Sequence, residues 1–366
     1  MKSFPVLLLR AGAALFALPV VLLGFASTIA AGERRLTLEQ VSGRGAVRFS
    51  AQLDEIRWAV DGAYLRRGRG DDEVWIDPES GEEKAPEHGQ PQRDLRRELR
   101  EAFARLPGFG KEDAQRASRV RSRSSAEGGA VLIPFESDLY FYRKDQPIRR
   151  LTNDDELEQN AVLSPDGRWA SFVKANDLYL LCTEDGSLRR ATRDGSGEIL
   201  NGRLDWVYQE EVYGRANWKG YWWSPDSRAV AFLQLNQAGV PHFTIVDHIP
   251  YRAEVSTTRY PKAGDPNPKV RLGVVHARGG KRWVDLSDYT EEILIVNVSW
   301  SPEGDQLLFQ VQNRTQTWLD LNAADPDTGK VTRLVRETSP TWVNTFGEPR
   351  WLADGTFLWF SERSGY

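Results

Sequence analysis

Two adjacent carboxylates, Glu210 and Glu211, sit in the segment Leu204-Asp-Trp-Val-Tyr-Gln-Glu-Glu-Val-Tyr213. Trp206, Tyr208, Tyr213, Trp218, Tyr221 and Trp222 lie close by in the chain. Neighbouring carboxylates repel one another, and where aromatic side chains exclude water one of the two takes a raised pKa. A bound cation relieves both the repulsion and the desolvation, through charge-assisted hydrogen bonds worth roughly 1.5–3 kcal/mol each. The plainer alternative is a solvated short helix with two surface glutamates.

Other catalytic patterns are missing from the chain. It contains no Gly-x-Ser-x-Gly nucleophile elbow, no His-Glu-x-x-His, no Cys-x-x-Cys and no phosphate loop. His242 and His248 could share a strand face, but two histidines without a third ligand make no metal site. Gly68-Arg-Gly70 is too short for dinucleotide binding. No catalytic residue, metal or cofactor is therefore assigned. Cys182 is the single cysteine and excludes an intramolecular disulfide, so packing must supply the stability.

The elements that position the glutamates follow from a repeat. One phrase recurs as Leu163-Ser-Pro-Asp-Gly-Arg-Trp-Ala-Ser-Phe172, Trp223-Ser-Pro-Asp-Ser-Arg-Ala-Val-Ala-Phe232 and Trp300-Ser-Pro-Glu-Gly-Asp-Gln-Leu-Leu-Phe309. Weaker copies run Trp58–Tyr64 and Trp351–Phe357. An apolar residue ends one strand, a Pro-Asp-Gly type turn follows, and alternating apolar residues begin the next strand. A second phrase, Asp138-Leu-Tyr-Phe-Tyr142 and Asp177-Leu-Tyr-Leu-Leu181, recurs 39 residues apart. Each copy leads to Arg-Arg-Leu-Thr (149–152) or Arg-Arg-Ala-Thr (189–192), and Asp72–Ile76 and Pro326–Val331 read as further copies. Two hairpins per repeat predict an all-β chain, a β-propeller of four-stranded blades, about five of them in an incomplete ring. The strong copies of the first phrase lie 60 and 77 residues apart, so blades must carry insertions.

One insertion reads as a helix near 93–106, with Leu95, Leu99, Ala102, Phe103 and Leu106 on one face before Pro107-Gly108. The basic stretch Arg116–Ser125 reads as a solvated mobile loop. Residues 1–31 place Lys2 and Arg10 before an uncharged run ending in small residues, the layout of a cleaved signal peptide. The rival is an uncleaved membrane anchor over residues 11–32. Either way the body, 32–366, is exported to the periplasm or the outside. Without Lys2 and Arg10 the chain has 46 basic and 52 acidic residues, a formal charge of −6, which argues against a nucleic-acid partner.

The glutamate segment also carries a family resemblance. Asp205-Trp-Val-Tyr-Gln-Glu-Glu-Val212 resembles the Asp-Trp-Val-Tyr-Glu-Glu-Glu-Val stretch of the dipeptidyl peptidase IV family, within the prolyl oligopeptidase superfamily. Tyr221-Trp-Trp-Ser-Pro-Asp226 and Tyr260-Pro-Lys-Ala-Gly-Asp-Pro-Asn-Pro-Lys-Val270 resemble it in order and spacing. Leu36–Glu39 and the Ser361–Tyr366 turn resemble its bacterial members, so the likeness extends over essentially all of 36–366.

The resemblance implies an eight-bladed propeller and a C-terminal α/β-hydrolase domain enclosing a serine peptidase site. Such enzymes release X-Pro or X-Ala dipeptides from free peptide N-termini. Glu210 and Glu211 match the family's pair that holds the substrate's protonated amine. Gln209 replaces the first glutamate of the family's triple and leaves the pair intact. The family's backbone-binding arginine has no counterpart in Val131–Ser137. The family's catalytic Ser, Asp and His follow its propeller, so a chain ending at Tyr366 reads as a truncated, inactive fragment. Its implied partners are peptides with a free N-terminus, the hydrolase domain of the same gene product, and a second copy in a homodimer. The alternative is a non-catalytic propeller that binds peptides or proteins.

Overall fold

A computed structural model describes residues 56–58, 64–67, 73–76, 80–81, 83–84, 91–120, 122–125 and 129–365. The leader predicted over 1–31 lies outside the described residues. The chain divides into two compact units, one covering Arg96–Tyr366 and the other falling within Leu9–Leu95. The smaller unit holds a first four-stranded antiparallel sheet, Ile56–Trp58, Tyr64–Arg67, Glu73–Ile76 and Glu83–Lys84. Trp58 pairs with Tyr64, where the weak copy of the hairpin phrase places a turn.

The larger unit continues the series. Arg123–Ser124, Ala130–Phe135, Asp138–Arg143 and Arg149–Arg150 form the second sheet. The third is Gln159–Leu163, Trp169–Lys174, Asp177–Cys182 and Leu188–Arg190. In the fourth, Ile199–Asn201 and Tyr221–Trp223 both pair with Ala229–Asn236, followed by Lys269–His276 and Lys281–Trp283. Ile293–Trp300, Leu307–Asn313, Trp318–Ala324 and Val331–Thr338 form the fifth. Arg350–Trp351 and Phe357–Leu358 pair as a sixth, two-stranded piece. The strand order is sequential within each sheet, the meander of propeller blades.

The core shows why successive blades need one another. Each hydrophobic cluster lies between two consecutive sheets. Leu132, Phe141, Ala170 and Phe172 join the second to the third, and Leu178, Tyr221 and Phe232 join the third to the fourth. Leu233, Leu272, Ile295 and Phe309 join the fourth to the fifth. Alternation along one strand serves two clusters: Val230 and Phe232 face the third sheet, while Ala231 and Leu233 face the fifth. Removing the fully buried Phe232 ring would cost about 3–5 kcal/mol.

Both sequence phrases have a hydrogen-bonding reason. In the hairpin phrase the serine and the acid tie the turn: Ser164 Oγ donates to Asp166 at 2.6 Å, Ser224 to Asp226 at 2.6 Å and Ser301 to Asp305 at 2.7 Å. The Ser227 hydroxyl accepts from the Asp166 N–H, linking adjacent turns. In the second phrase a buried aspartate on the third strand of a blade grips the fourth. Asp177 accepts from Arg190 Nε at 3.0 Å and from the Thr192 hydroxyl at 2.6 Å, and Asp138 pairs with Arg150. Asp320, outside the phrase as read, does the same with Arg336 at 2.6 and 2.7 Å.

Three expectations change. The helix is Pro91–Ala104 (α1), starting and ending two residues early, with Leu99 and Phe103 buried and the Phe103 ring against Phe109, Phe135 and Tyr140. Arg116–Ser125 is not one loop: it completes a second helix, Lys111–Ala117 (α2), and supplies the edge strand Arg123–Ser124. Its small residues Ala114 and Ala117 are buried, so local packing overrides the charge run. His242 opens a hairpin, His242–Asp247 with Glu254–Arg259, but His248 falls past the strand end, so the two share no strand face. That hairpin and the glutamate segment are the insertions in the fourth blade, and they account for the stretched spacing.

Candidate amine-binding turn

The inner strand of the fourth blade is broken in two, and the chain between Gly202 and Gly220 leaves the sheet. The gap is pinched shut: Gly220 N–H donates to Gly202 O at 2.9 Å, and Leu233 exchanges backbone bonds with both glycines. Gly202 has φ +70°, a left-handed conformation that suits glycine, and a Cβ on Gly220 would lie 2.7 Å from the Leu204 side chain. Leu204, fully buried, roots the insertion in the core.

A short helical turn follows. The Asp205 carboxylate caps it, Oδ1 accepting the Tyr208 N–H at 3.1 Å and Oδ2 the Val207 N–H at 3.2 Å. Burial raises the Asp205 carboxyl pKa, and these N–H bonds oppose the rise. Gln209 N–H donates to Asp205 O, but Tyr213 N–H reaches back five residues to Tyr208 O at 2.8 Å, so Tyr208–Val212 is a π-helical turn. The turn is bolted to the fifth blade. Tyr208 Oη accepts the Ile295 N–H at 3.2 Å, and Tyr213 Oη donates to Ile295 O at 3.1 Å. Both bonds meet a strand irregularity between Ile295 and Asn297. Burial pushes both tyrosine hydroxyls well above their usual range.

Glu210 and Glu211 project from this fixed turn with different surroundings. Glu210 is half-buried, and its Oε1 accepts from Arg215 Nε at 2.6 Å; Glu211 is exposed. The aromatic side chains mostly pack away from the pair. Tyr208 and Tyr221 are fully buried, Tyr213 leans on Trp222, Trp206 meets Tyr260 edge-on, and Trp218 is exposed. The water-excluding enclosure on which the sequence expectation depended is therefore not formed at Glu211. Gln209 is buried, and its Oε1 accepts the Ala216 N–H at 2.9 Å, closing the loop with a neutral amide.

Around the turn lie cations that sequence reasoning passed over. Arg215 was legible only as a nearby basic residue. Lys219 packs over the Tyr221 and Trp222 rings and donates to Tyr221 O at 2.7 Å. Burial, then the charge of Arg123, lowers its pKa to about 8. Val131–Ser137 indeed holds no arginine, but the edge strand of the same blade carries Arg123 within electrostatic reach of Lys219. Asn160, on the inner strand of the third blade, donates to Trp218 O at 3.1 Å. Among the described residues no cluster of three or more His, Cys, Asp or Glu could hold a metal ion.

A family model described as the dipeptidyl peptidase IV (DPP IV) N-terminal region matches residues 118–366. Dipeptidyl-aminopeptidase B of Aspergillus niger is 28% identical over 224 residues, covering 57% of this chain and 24% of the relative. Dipeptidyl peptidase 4 of Trichophyton equinum is 28% identical over 207 residues, covering 54% and 26%. The crystal structure of Porphyromonas gingivalis dipeptidyl peptidase 4 superposes with a TM-score of 0.64 at 21% identity, over 85% of this chain and 44% of that one. The chain thus spans about a quarter of the length of these curated relatives.

Proposed function

Since this chain belongs to the dipeptidyl peptidase IV N-terminal-region family, we propose that it is the amine-binding, substrate-gating propeller of an exported serine dipeptidyl peptidase. One observation carries the reading: Glu210 and Glu211 stand at the surface of a π-turn that is capped by Asp205 and anchored on Ile295. A peptide's terminal ammonium brings three donors to this pair, and the carboxylates supply acceptors on a turn whose backbone is anchored before binding.

Fixing the amine makes a ruler. A residue spans at most about 3.3–3.6 Å, so two residues separate the held amine from the bond to be cut. The binding energy goes into register and orientation of the scissile carbonyl, which is where positioning lowers a barrier. The serine, aspartate and histidine of acyl transfer are assigned to a hydrolase domain outside these 366 residues, and X-Pro and X-Ala dipeptides are the proposed products. Alone, the chain is expected to bind peptide without cleaving it.

Isothermal titration of the chain with Ala-Pro-Ala and with its N-acetyl derivative tests the reading. The free-amine peptide should bind and the acetylated one should lose most of the affinity. Equal binding of the two would remove the amine from the proposal.

A further inference from the structure

Arg203 follows Gly202 where the chain leaves the fourth sheet, and its backbone bridges to Lys219. Its side chain is half-buried. The guanidinium lies between two residues: Nη1 donates to Asn176 Oδ1 at a long 3.4 Å, and Cζ stands 5.6 Å from the centre of the Trp218 ring. Asn176 belongs to the turn between the second and third strands of the third blade, where a 2.8 Å bond to Ser196 O orients its amide. Asn176, Arg203 and Trp218 line one pocket of about 330 Å³, with Trp206, His242 and Thr257 as further walls. Small-molecule sites run from roughly 300 to 1,000 Å³, so this one suits a small ligand.

This cation differs from those of the blades in lacking an anion. Arg190, Arg336 and Arg150 each meet a buried aspartate, which raises the guanidinium pKa. Among the described residues no carboxylate pairs with Arg203, and burial alone acts on its pKa, lowering it. Arg259 and Asp205, the other charged groups in the wall, are already matched. Arg259 donates to Val240 O at 2.8 Å and to Glu198 at 3.0 Å. The buried Asp205 carboxylate accepts the Val207 and Tyr208 N–H groups. Taking a charge out of water without a counter-charge is unfavourable, and an anion bound from solution removes that penalty.

The guanidinium fork selects the anion. Its parallel N–H groups match the two oxygens of a carboxylate. We propose that this pocket binds a small organic carboxylate, its oxygens on Arg203 and its hydrocarbon part against the Trp206 and Trp218 rings. One unmatched guanidinium carries a single positive charge, the complement of a monocarboxylate rather than of a phosphate dianion. A carboxylate seated there joins the third-blade turn at Asn176 to the root of the glutamate insertion and, through Thr257, to the strand Glu254–Arg259. The site does not depend on the amine-holding role of Glu210 and Glu211.

Saturation-transfer nuclear magnetic resonance on the 366-residue chain tests it, with benzoate as the probe at constant ionic strength and benzamide as its neutral match. Benzoate should bind, and benzamide should bind roughly tenfold more weakly. Arg203→Met keeps the length of the side chain and removes the charge, so it should weaken benzoate by about the same factor. Should Arg203→Met fail to fold, Trp218→Ala, at an exposed ring, should weaken benzoate by roughly threefold. Acetate should displace benzoate, since it shares the carboxylate. Equal binding of benzoate and benzamide overturns the proposal, as does benzoate binding indifferent to these substitutions. Displacement of benzoate by inorganic phosphate with acetate ineffective would overturn the carboxylate assignment.

Discussion

The third blade and the glutamate turn use the same chemistry, a carboxylate beside an arginine, to opposite ends. In the blade, Asp177 is fully buried and saturated by Arg190, Thr192, the Gly195 N–H at 3.0 Å and Asn201 at 3.1 Å. In the turn, Glu210 keeps one arginine whose side chain is 84% exposed, and Glu211 is exposed. A buried and saturated carboxylate fixes which strands pair. A carboxylate fixed in place but open to solvent retains acceptors for a ligand. The difference lies in what surrounds the acid, and substitutions at each place should separate stability from binding.

The largest effect belongs to the blade. Asp177→Ala takes an acceptor from the buried Thr192 hydroxyl and Asn201 amide, while Arg190 can turn to solvent, and should destabilise the chain by about 2–4 kcal/mol. Urea unfolding followed by far-ultraviolet circular dichroism would read it. A loss no greater than that of Glu211→Gln would erase the distinction between the two regions.

The turn should respond the other way round. Glu211→Gln keeps the shape but removes the charge, so stability should barely move. Binding of Ala-Pro-Ala should weaken by roughly 10- to 100-fold, the worth of one or two charge-assisted hydrogen bonds. Equal affinity of the altered and unaltered chains would return Glu211 to the status of a surface residue.

One carboxylate of the third blade breaks the pattern of saturation and sharpens it. Glu158, just ahead of the inner strand, is 9% exposed, and its Oε1 lacks a hydrogen-bond partner. Burial, reinforced by Asp154, raises its pKa to about 7. The folded state therefore holds a proton that the unfolded chain, with the ordinary value of 4.5, gives up more readily. This contribution is fully present below pH 4.5 and is lost as the pH rises through about 7. Glu158→Gln should be near neutral at pH 4 and stabilising by on the order of 2 kcal/mol at pH 8. A stability gain independent of pH would show that ionisation of Glu158 is not what costs the native chain.

Much of this contrast could be read in the sequence, for definite reasons. The blades are legible because the hairpin phrase needs a serine and an acid two or four residues on to tie its turn. The Asp-Leu-Tyr phrase is legible because the aspartate must meet an arginine one strand away. Its purpose was not, since a hydrogen bond across strands leaves no local signature. Glu210 and Glu211 could be picked out, but the five-residue bond that makes their turn π-helical depends on Ile295, 82 residues beyond Tyr213. The Trp206–Tyr260 contact was hidden for the same reason, although both residues lay in segments already marked as unusual. The hairpin His242–Arg259 escaped because its strands carry exposed apolar residues and follow neither repeat phrase. Arg116–Ser125 misled because charge content was weighed above the small buried residues of α2.

The smallest effect should come from the arginine that both regions have in common as a type. Arg215 holds Glu210 at 2.6 Å from a highly exposed position, where an ion pair contributes about 0–1 kcal/mol. Arg215→Ala should therefore leave the unfolding midpoint nearly unchanged, unlike Arg190→Ala in the blade, which removes the charge partner of a fully buried acid. The guanidinium occupies an acceptor that a peptide ammonium could use, so its removal should tighten Ala-Pro-Ala binding by about two- to fivefold, a few tenths to one kcal/mol. The gain should shrink at high salt as screening weakens the competing pair. Weaker binding in Arg215→Ala would instead make the arginine a positioning residue that aims Glu210. The turn would then resemble the blade, with its acid held in place by its cation.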